Sequence, residues 1–209
     1  IKGLNLRLEY GGSLNYGNSY YFCPEYQYGT VVVESESNRG SSKSDNWSLK
    51  TYATYDFTVA RKHKFQIMAG HEAQEGSWEN LSGSRKGYIS DAIHNLDVGD
   101  ATTAKNSNGG NGWAIESYYG RLNYNFDDRY LLTGTLRSDG SSNLGPNNRW
   151  GTFPSAALAW RINNESFMKG IKAINNLKLR LGWGIVGNQN AGTYAYGTTM
   201  KNSTTAWGT

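Results

Sequence analysis

Apolar and polar residues alternate along this chain with a period of two. In residues 118–126 the apolar or small side chains Tyr118, Gly120, Leu122, Tyr124 and Phe126 take every second place, and Arg121, Asn123 and Asn125 lie between them. That pattern predicts a strand with two unlike faces. Asp127 and Asp128 predict a tight turn over 126–129, because aspartate side chains bond nearby backbone and tolerate turn dihedrals. The next strand sets Tyr130, Leu132, Gly134 and Leu136 against Thr133, Thr135 and Arg137. Pro154, Ala156, Leu158, Trp160 and Ile162 repeat the pattern. Leu177, Leu179, Leu181, Trp183 and Ile185 then alternate with Lys178, Arg180, Gly182 and Gly184.

Length and the second face together argue against an ordinary soluble strand. Soluble strands average about five or six residues, whereas these alternations persist for about nine to fifteen, and about nine to eleven tilted residues cross a bilayer's hydrocarbon core. Lysine, arginine, asparagine and threonine facing a dry core cost several kcal/mol each unless paired; facing a water-filled lumen they cost little. The pattern therefore predicts an all-β fold, an antiparallel transmembrane β-barrel. Tyr124, Phe126, Tyr130 and Trp160, close to the tight turn, are expected to form an interfacial aromatic girdle.

Earlier strands read the same way. Leu4, Leu6, Leu8 and Tyr10 alternate with Asn5, Arg7 and Glu9. Trp47, Leu49, Thr51, Ala53, Tyr55, Phe57 and Val59 oppose Lys50, Thr54, Asp56 and Thr58. After a turn at 61–63, Phe65, Ile67 and Ala69 point outward, and Lys64, Gln66 and Glu72 inward. Residues 11–45, 77–112, 138–148 and those beyond Gly187 read as long loops. Long loops are extracellular and short turns periplasmic in such barrels, so the turns at 61–63 and 126–129 are placed in the periplasm. The connection over 163–176, with one helical turn at 165–168, joins them. About seven strands result, roughly a third of a large barrel.

The order of DGSS, GPNNRWGTFPS, WRI, ESFM, LKLR and GNQN across residues 118–190 resembles the barrel of SusC/RagA-type TonB-dependent transporters of Bacteroidetes outer membranes. Two positions depart from that pattern: Leu144 stands where a bulky aromatic is expected, and Ser138 where a basic residue is common. The resemblance implies a barrel of about twenty-two strands with an N-terminal plug. The 209 residues are then expected to be a part of the barrel domain, with plug and barrel closure elsewhere. It further implies import of glycans or peptides, a SusD-like surface lipoprotein partner, and energy supplied by the TonB complex.

Composition changes this picture little. A mean hydropathy of −0.66 would suggest a soluble protein, but half of each barrel strand and all its loops are polar. Aromatic residues at 13%, with Gly 26 and Pro 3, favour a sheet with glycine at bends. The net charge of +4 is modest and scattered, which argues against nucleic acid as a partner. Cys23 is the single cysteine and forms no internal disulfide.

Catalytic chemistry finds no foothold. The run His71-Glu72-Ala73-Gln74-Glu75 starts like a zinc-protease helix but has Glu75 where the second histidine belongs, and it lies on a strand pattern. His63 and His94 are isolated, one in a turn and one in a loop. Asp127 and Asp128 are explained by turn chemistry. No enzyme activity, metal or cofactor is expected. The candidate substrate contacts are Arg137, Asp139 and Arg149 at the extracellular rim, which can hydrogen-bond a polar solute or instead brace the loop against one another. Trp78, Tyr88, Trp113, Tyr20, Tyr21, Tyr26 and Tyr28 are read as packing aromatics. The reading is an outer-membrane active transporter component. A passive porin and a soluble carbohydrate-binding β-sandwich are the alternatives.

Overall fold

The computed structural model describes residues 1–171 and 173–188. Nine strands are present among them: β1 Leu4–Cys23, β2 Tyr26–Tyr28, β3 Val31–Val33, β4 Glu36–Val59, β5 His63–Lys86, β6 Lys105–Phe126, β7 Tyr130–Ser141, β8 Trp150–Arg161 and β9 Lys178–Gly184. Seven form one sheet in the order β1-β4-β5-β6-β7-β8-β9, and β2 and β3 form a separate hairpin. The expected all-β, antiparallel, seven-stranded sheet is what the chain builds. No helix among the described residues is long and apolar enough to cross a membrane, which says nothing of a β-barrel.

The chain divides into two compact units. The first holds Ile1–Glu9, Leu49–Ala73 and the described residues from Ala114 onward. In it the β6–β7 register pairs Phe126 with Tyr130, Tyr124 with Leu132 and Leu122 with Gly134; β8 continues the row with Trp160, Leu158 and Ala156. β9 adds Leu179, Leu181 and Trp183. One face is thus apolar from strand to strand. The other carries Tyr119, Arg121, Asn123 and Asn125 opposite Arg137, Thr135, Thr133 and Leu131.

The apolar face is not covered. Leu158 is 56% and Leu181 64% exposed, and among the described residues Tyr88 and Met168 are the buried hydrophobic side chains. A sheet of this size with its apolar face open requires an apolar surrounding. Aromatic rings bound that face at two levels. Near the short turns a ribbon of rings runs Tyr55–Phe57–Phe65–Tyr124, with Phe126, Tyr130 and Trp160 continuing it at centroid spacings of 6.3 and 6.4 Å. At the other end of the same strands the rings of His71, Tyr118 and Trp150 meet in sequence, tilted against one another, at centroid spacings of 4.8 and 5.9 Å.

The tight turns explain themselves locally. Asp127 and Asp128 have φ of 51° and 54°, and the Arg129 N–H donates to the Phe126 carbonyl at 2.9 Å. Two successive positive φ values match the right-handed twist of a hairpin, and aspartate tolerates them. The first turn falls at 60–62 rather than 61–63, with Ala60 and Arg61 at φ 47° and 60°. His63 therefore opens β5 instead of lying in the turn. Alanine and arginine carry no turn signature, so the sequence pattern placed this boundary one residue late.

The second unit holds Tyr10–Ser48 and Gln74–Trp113, and here the sequence reading needs correcting. The loops expected over 11–45 and 77–112 are largely strand: β1 runs to Cys23, β4 starts at Glu36, β5 reaches Lys86 and β6 starts at Lys105. The connections shrink to the β2–β3 region and to a segment with 3-10 turns at Leu96–Val98 and Ala101–Thr103. β4, β5 and β6 are here rich in glycine, serine, asparagine and charged residues on both faces, so hydrophobic alternation fades although backbone pairing persists, whereas β1 keeps an alternation of Leu14, Tyr16, Tyr20 and Phe22 that the loop assignment overlooked. In the first unit, β7 reaches Ser141 and β8 begins at Trp150, which shortens the loop expected over 138–148. The helical turn expected at 165–168 appears as a 3-10 turn over Ser166–Met168. The loop expected beyond Gly187 lies outside the described residues from position 189 onward.

Candidate functional site

The polar face of the first unit is a continuous network. Asn123 Nδ2 donates to Gln66 Oε1, Gln66 Nε2 to Asp56 Oδ1 and Thr133 Oγ1 to Asn123 Oδ1, each at 2.9 Å. One row of side chains thus links β4, β5, β6 and β7. Farther along, Glu72 on β5 is 5% exposed and is held by Lys50 Nζ at 3.0 Å and Arg137 at 3.4 Å. Arg137 also lies over the Tyr119 ring at 5.6 Å and donates to Ser117 Oγ at 3.0 Å. Tyr119 itself lies flat on Gly70, where a Cβ would come within 2.6 Å of the ring. Strand alternation brings these residues together, since all occupy inward positions.

The three rim residues fare differently. Arg137 and Asp139 are joined, Nε to Oδ1 at 2.7 Å. Arg149 follows the 3-10 turn Pro146–Asn148; its carbonyl accepts from the Ser141 N–H at 3.0 Å and its side chain is exposed. Arg137 is engaged with three strands of the wall, and Arg149 is open to solvent.

A second constellation, near the short turns, went unread in the sequence. Glu165 Oε1 accepts from the Tyr130 hydroxyl at 2.7 Å and from Trp160 Nε1 at 2.9 Å, while Oε2 meets Arg129 at 3.1 Å. Arg129 also contacts Asp127. Lys64 Nζ reaches Asp128 at 2.8 Å, and Asn164 Nδ2 donates to the Asp128 carbonyl at 2.7 Å. Three successive chain connections are stitched together by carboxylates. No local signal could reveal Glu165, because its donors come from two strands and a turn.

The pH consequence has a definite sign. The Tyr130 hydroxyl, the Trp160 indole and the Arg129 guanidinium hold the Glu165 carboxyl below its usual range. Arg129 does the same for Asp127, and Lys64 with Asn125 for Asp128. A carboxyl depressed in the folded state adds stability above its unfolded pKa, about 4.3 for glutamate, and that stability is lost as pH falls through the folded value. Thermal melting of the full barrel is therefore expected to drop as pH is lowered below about 4. Glu165→Gln should lower the melting point at neutral pH and flatten the acid slope, as read by heat-modifiability in gels.

The histidines divide. His71, on a strand as expected, meets Glu116 at 3.1 Å, and among the described residues no metal cluster exists. His63 Nδ1 contacts the Tyr124 hydroxyl at 2.8 Å and joins the aromatic ribbon. His94 is not isolated, contrary to the sequence reading: it stacks on Phe22 at 3.7 Å and its Nδ1 meets the Tyr20 hydroxyl. Of the aromatics read as packing, Tyr88 is buried edge-on against Phe22. Tyr20, half exposed, stacks on His94 and lies under Arg39; Trp78, Tyr21, Tyr26 and Tyr28 remain exposed, so a packing role holds within the chain for only part of the set.

Known proteins bear the same arrangement. A family model described as "TonB dependent receptor-like, beta-barrel" matches residues 2–209. The TonB-dependent receptor SusC of Bacteroides thetaiotaomicron is 36% identical over 201 residues, covering 94% of this chain and 19% of that protein. A TonB-dependent receptor of Formosa agariphila is 33% identical over 168 residues, 79% of this chain and 16% of its own. The chain thus spans about a fifth or less of these curated relatives. Among solved structures, the RagAB peptide transporter superposes with a TM-score of 0.84 at 28% identity, covering 93% of this chain and 22% of that one. With strand order, two-faced register and sequence in agreement, the chain belongs to the TonB-dependent receptor-like β-barrel family of outer-membrane proteins and is of the SusC/RagA type.

Proposed function

We propose that these residues form part of the barrel wall of an outer-membrane active transporter that imports glycans or peptides. A SusD-like surface lipoprotein closes over its mouth, and the TonB complex supplies energy through a plug domain encoded outside these residues. It is a carrier and performs no catalysis. The observation that carries the reading is the two-faced sheet bounded by aromatic belts. Trp150 and Trp160 stand ten positions apart on β8, one in each belt. At about 3.3 Å per residue and a tilt of about 40°, that separation spans about 25 Å along the membrane normal, the height of an outer-membrane barrel's apolar band. The aromatic ribbon and the short turns then lie on the periplasmic side. At the opposite rim, Arg149 is the open solute contact, with Arg137 and Asp139 paired behind it.

Uptake by cells carrying the full gene is expected to stop when TonB is deleted, and the protein should co-purify with a surface lipoprotein. Uptake that survives loss of TonB would identify a passive pore. A chain that leaves the membrane without detergent would return the reading to a soluble sandwich.

A further inference from the structure

Residues 87–104, which join β5 to β6 in the second unit, lie back against the strands instead of standing free. They leave and return through a hydrogen-bonded neck. The Gly87 N–H donates to the Ser35 carbonyl at 3.0 Å and the Tyr88 N–H to Ser35 Oγ at 2.8 Å. On the returning side the Asp100 N–H donates to the Lys86 carbonyl and the Lys86 N–H to Thr103 Oγ1, both at 2.8 Å. Arg85 closes the neck by donating to the carbonyls of Asp97 and Gly99. Tyr88 is buried there, edge-on to Phe22, and with Arg85 fills the space that a side chain at Gly99 would need.

The head of the connection, residues 89–96, is held differently. The His94 ring lies flat on Phe22 at a centroid spacing of 3.7 Å and stacks on Tyr20 at 5.8 Å. Its Nε2–H donates to the Asp91 carbonyl, which leaves Nδ1 of the neutral ring to accept from the Tyr20 hydroxyl. The His94 carbonyl accepts from Oγ of the buried Ser37 at 3.1 Å. Two positions on, Leu96 Cδ1 comes within 3.2 Å of the place a Cβ on Gly83 would take. Leu96 thereby closes one side of a groove of about 530 Å³ lined by Tyr20, Arg39, Ser41, Leu81 and Asn106. Ile89 and Ile93 add nothing to this hold, being 96% and 49% exposed. Side chains hold the head, and main-chain bonds hold the neck.

We infer that the head is a lid over this groove, hinged on the neck, and that His94 is the latch that keeps it down. The two attachments are unequal in kind. Lifting the head separates one ring stack, a hydroxyl bond and the Ser37 contact, whereas opening the neck breaks a set of main-chain bonds and exposes Tyr88. Segments with few buried contacts open first and without the rest of the fold. Access to the side of the groove that Leu96 covers therefore depends on the His94 stack. The inference concerns this connection alone and stands apart from the transporter reading.

The test is limited proteolysis of the full protein in detergent, with a protease that cuts before aspartate, since Asp91 lies in the head and Asp100 in the neck. Cleavage before Asp91 is expected to be slow in the unsubstituted protein and about tenfold faster in His94→Ala and in Phe22→Ala, the scale of one ring contact, because cleavage follows the population of the open form. Asp100 should stay protected in both. His94→Phe, which keeps a flat ring, should retain most of the protection, and Tyr88→Ala should open both sites. Cleavage before Asp91 at the rate of an unfolded peptide in the unsubstituted protein, or protection unchanged in both His94→Ala and Phe22→Ala, would overturn the latch. Equal gains at Asp91 and Asp100 in His94→Ala would overturn the hinge. Heat-modifiability of every variant, read in parallel, separates lid opening from loss of the barrel.

Discussion

Arginine at Leu122 is expected to destabilise the full barrel by about 2 to 4 kcal/mol, whereas arginine at Thr133 should cost about 1 kcal/mol or less. Leu122 lies midway between Tyr118 and Phe126, which belong to the two aromatic belts, and it pairs with Gly134 on the apolar face. That places it near the bilayer midplane, where a charge on the lipid side is most costly. Leu132 pairs with Tyr124 and Leu158, close to the periplasmic belt, so arginine there should cost less than at Leu122. Leu179 pairs with Trp160 itself and should be milder still. Thr133 points to the polar face, where it loses only its bond to Asn123. Urea titration of the barrel folded into lipid vesicles measures all four. A graded series ordered by depth supports the facing and the membrane position together; equal losses at Thr133 and Leu122 would reject both.

The apolar face was legible because lipid demands hydrophobic side chains at every second position, and between the two aromatic belts β6 to β9 meet that demand. The same logic explains where legibility ended. Residues 36–45, 77–86 and 105–112 are strands whose two faces are both largely polar, and nothing in a run such as Asn106-Ser107-Asn108-Gly109 distinguishes a paired strand from a loop; residues 11–23 did carry a signal, Leu14, Tyr16, Tyr20 and Phe22 on alternate positions, diluted by glycine and serine between them. Glu72 was placed inward by parity, but its burial depends on Lys50 from β4 and Arg137 from β7. Glu165 depends on Tyr130, Trp160 and Arg129 in the same way. Alternation reveals which face a side chain takes; which residues meet on that face follows from register and strand order. His94 makes the point in the second unit, where a nondescript loop histidine finds Phe22 some seventy positions away.

Glu72→Gln tests whether the charged wall acts as one unit. Removing one partner from a fully buried ion pair costs about 3 to 5 kcal/mol, and from an exposed pair about 0 to 1. Here the carboxylate is buried, but the Lys50 and Arg137 side chains are each 40% exposed, and Arg137 keeps Asp139 and Ser117. The expected loss is therefore intermediate, about 2 kcal/mol. Arg137→Gln should cost a similar amount, because it leaves Glu72 with half its cationic company. In the double variant the losses should fall short of additive by about 1 kcal/mol, the coupling of residues sharing one network. Additive losses would mean that water, not the pair, satisfies Arg137, leaving it free to meet solute at the rim. Strong coupling instead makes Arg137 part of the wall, held by Glu72 and Ser117.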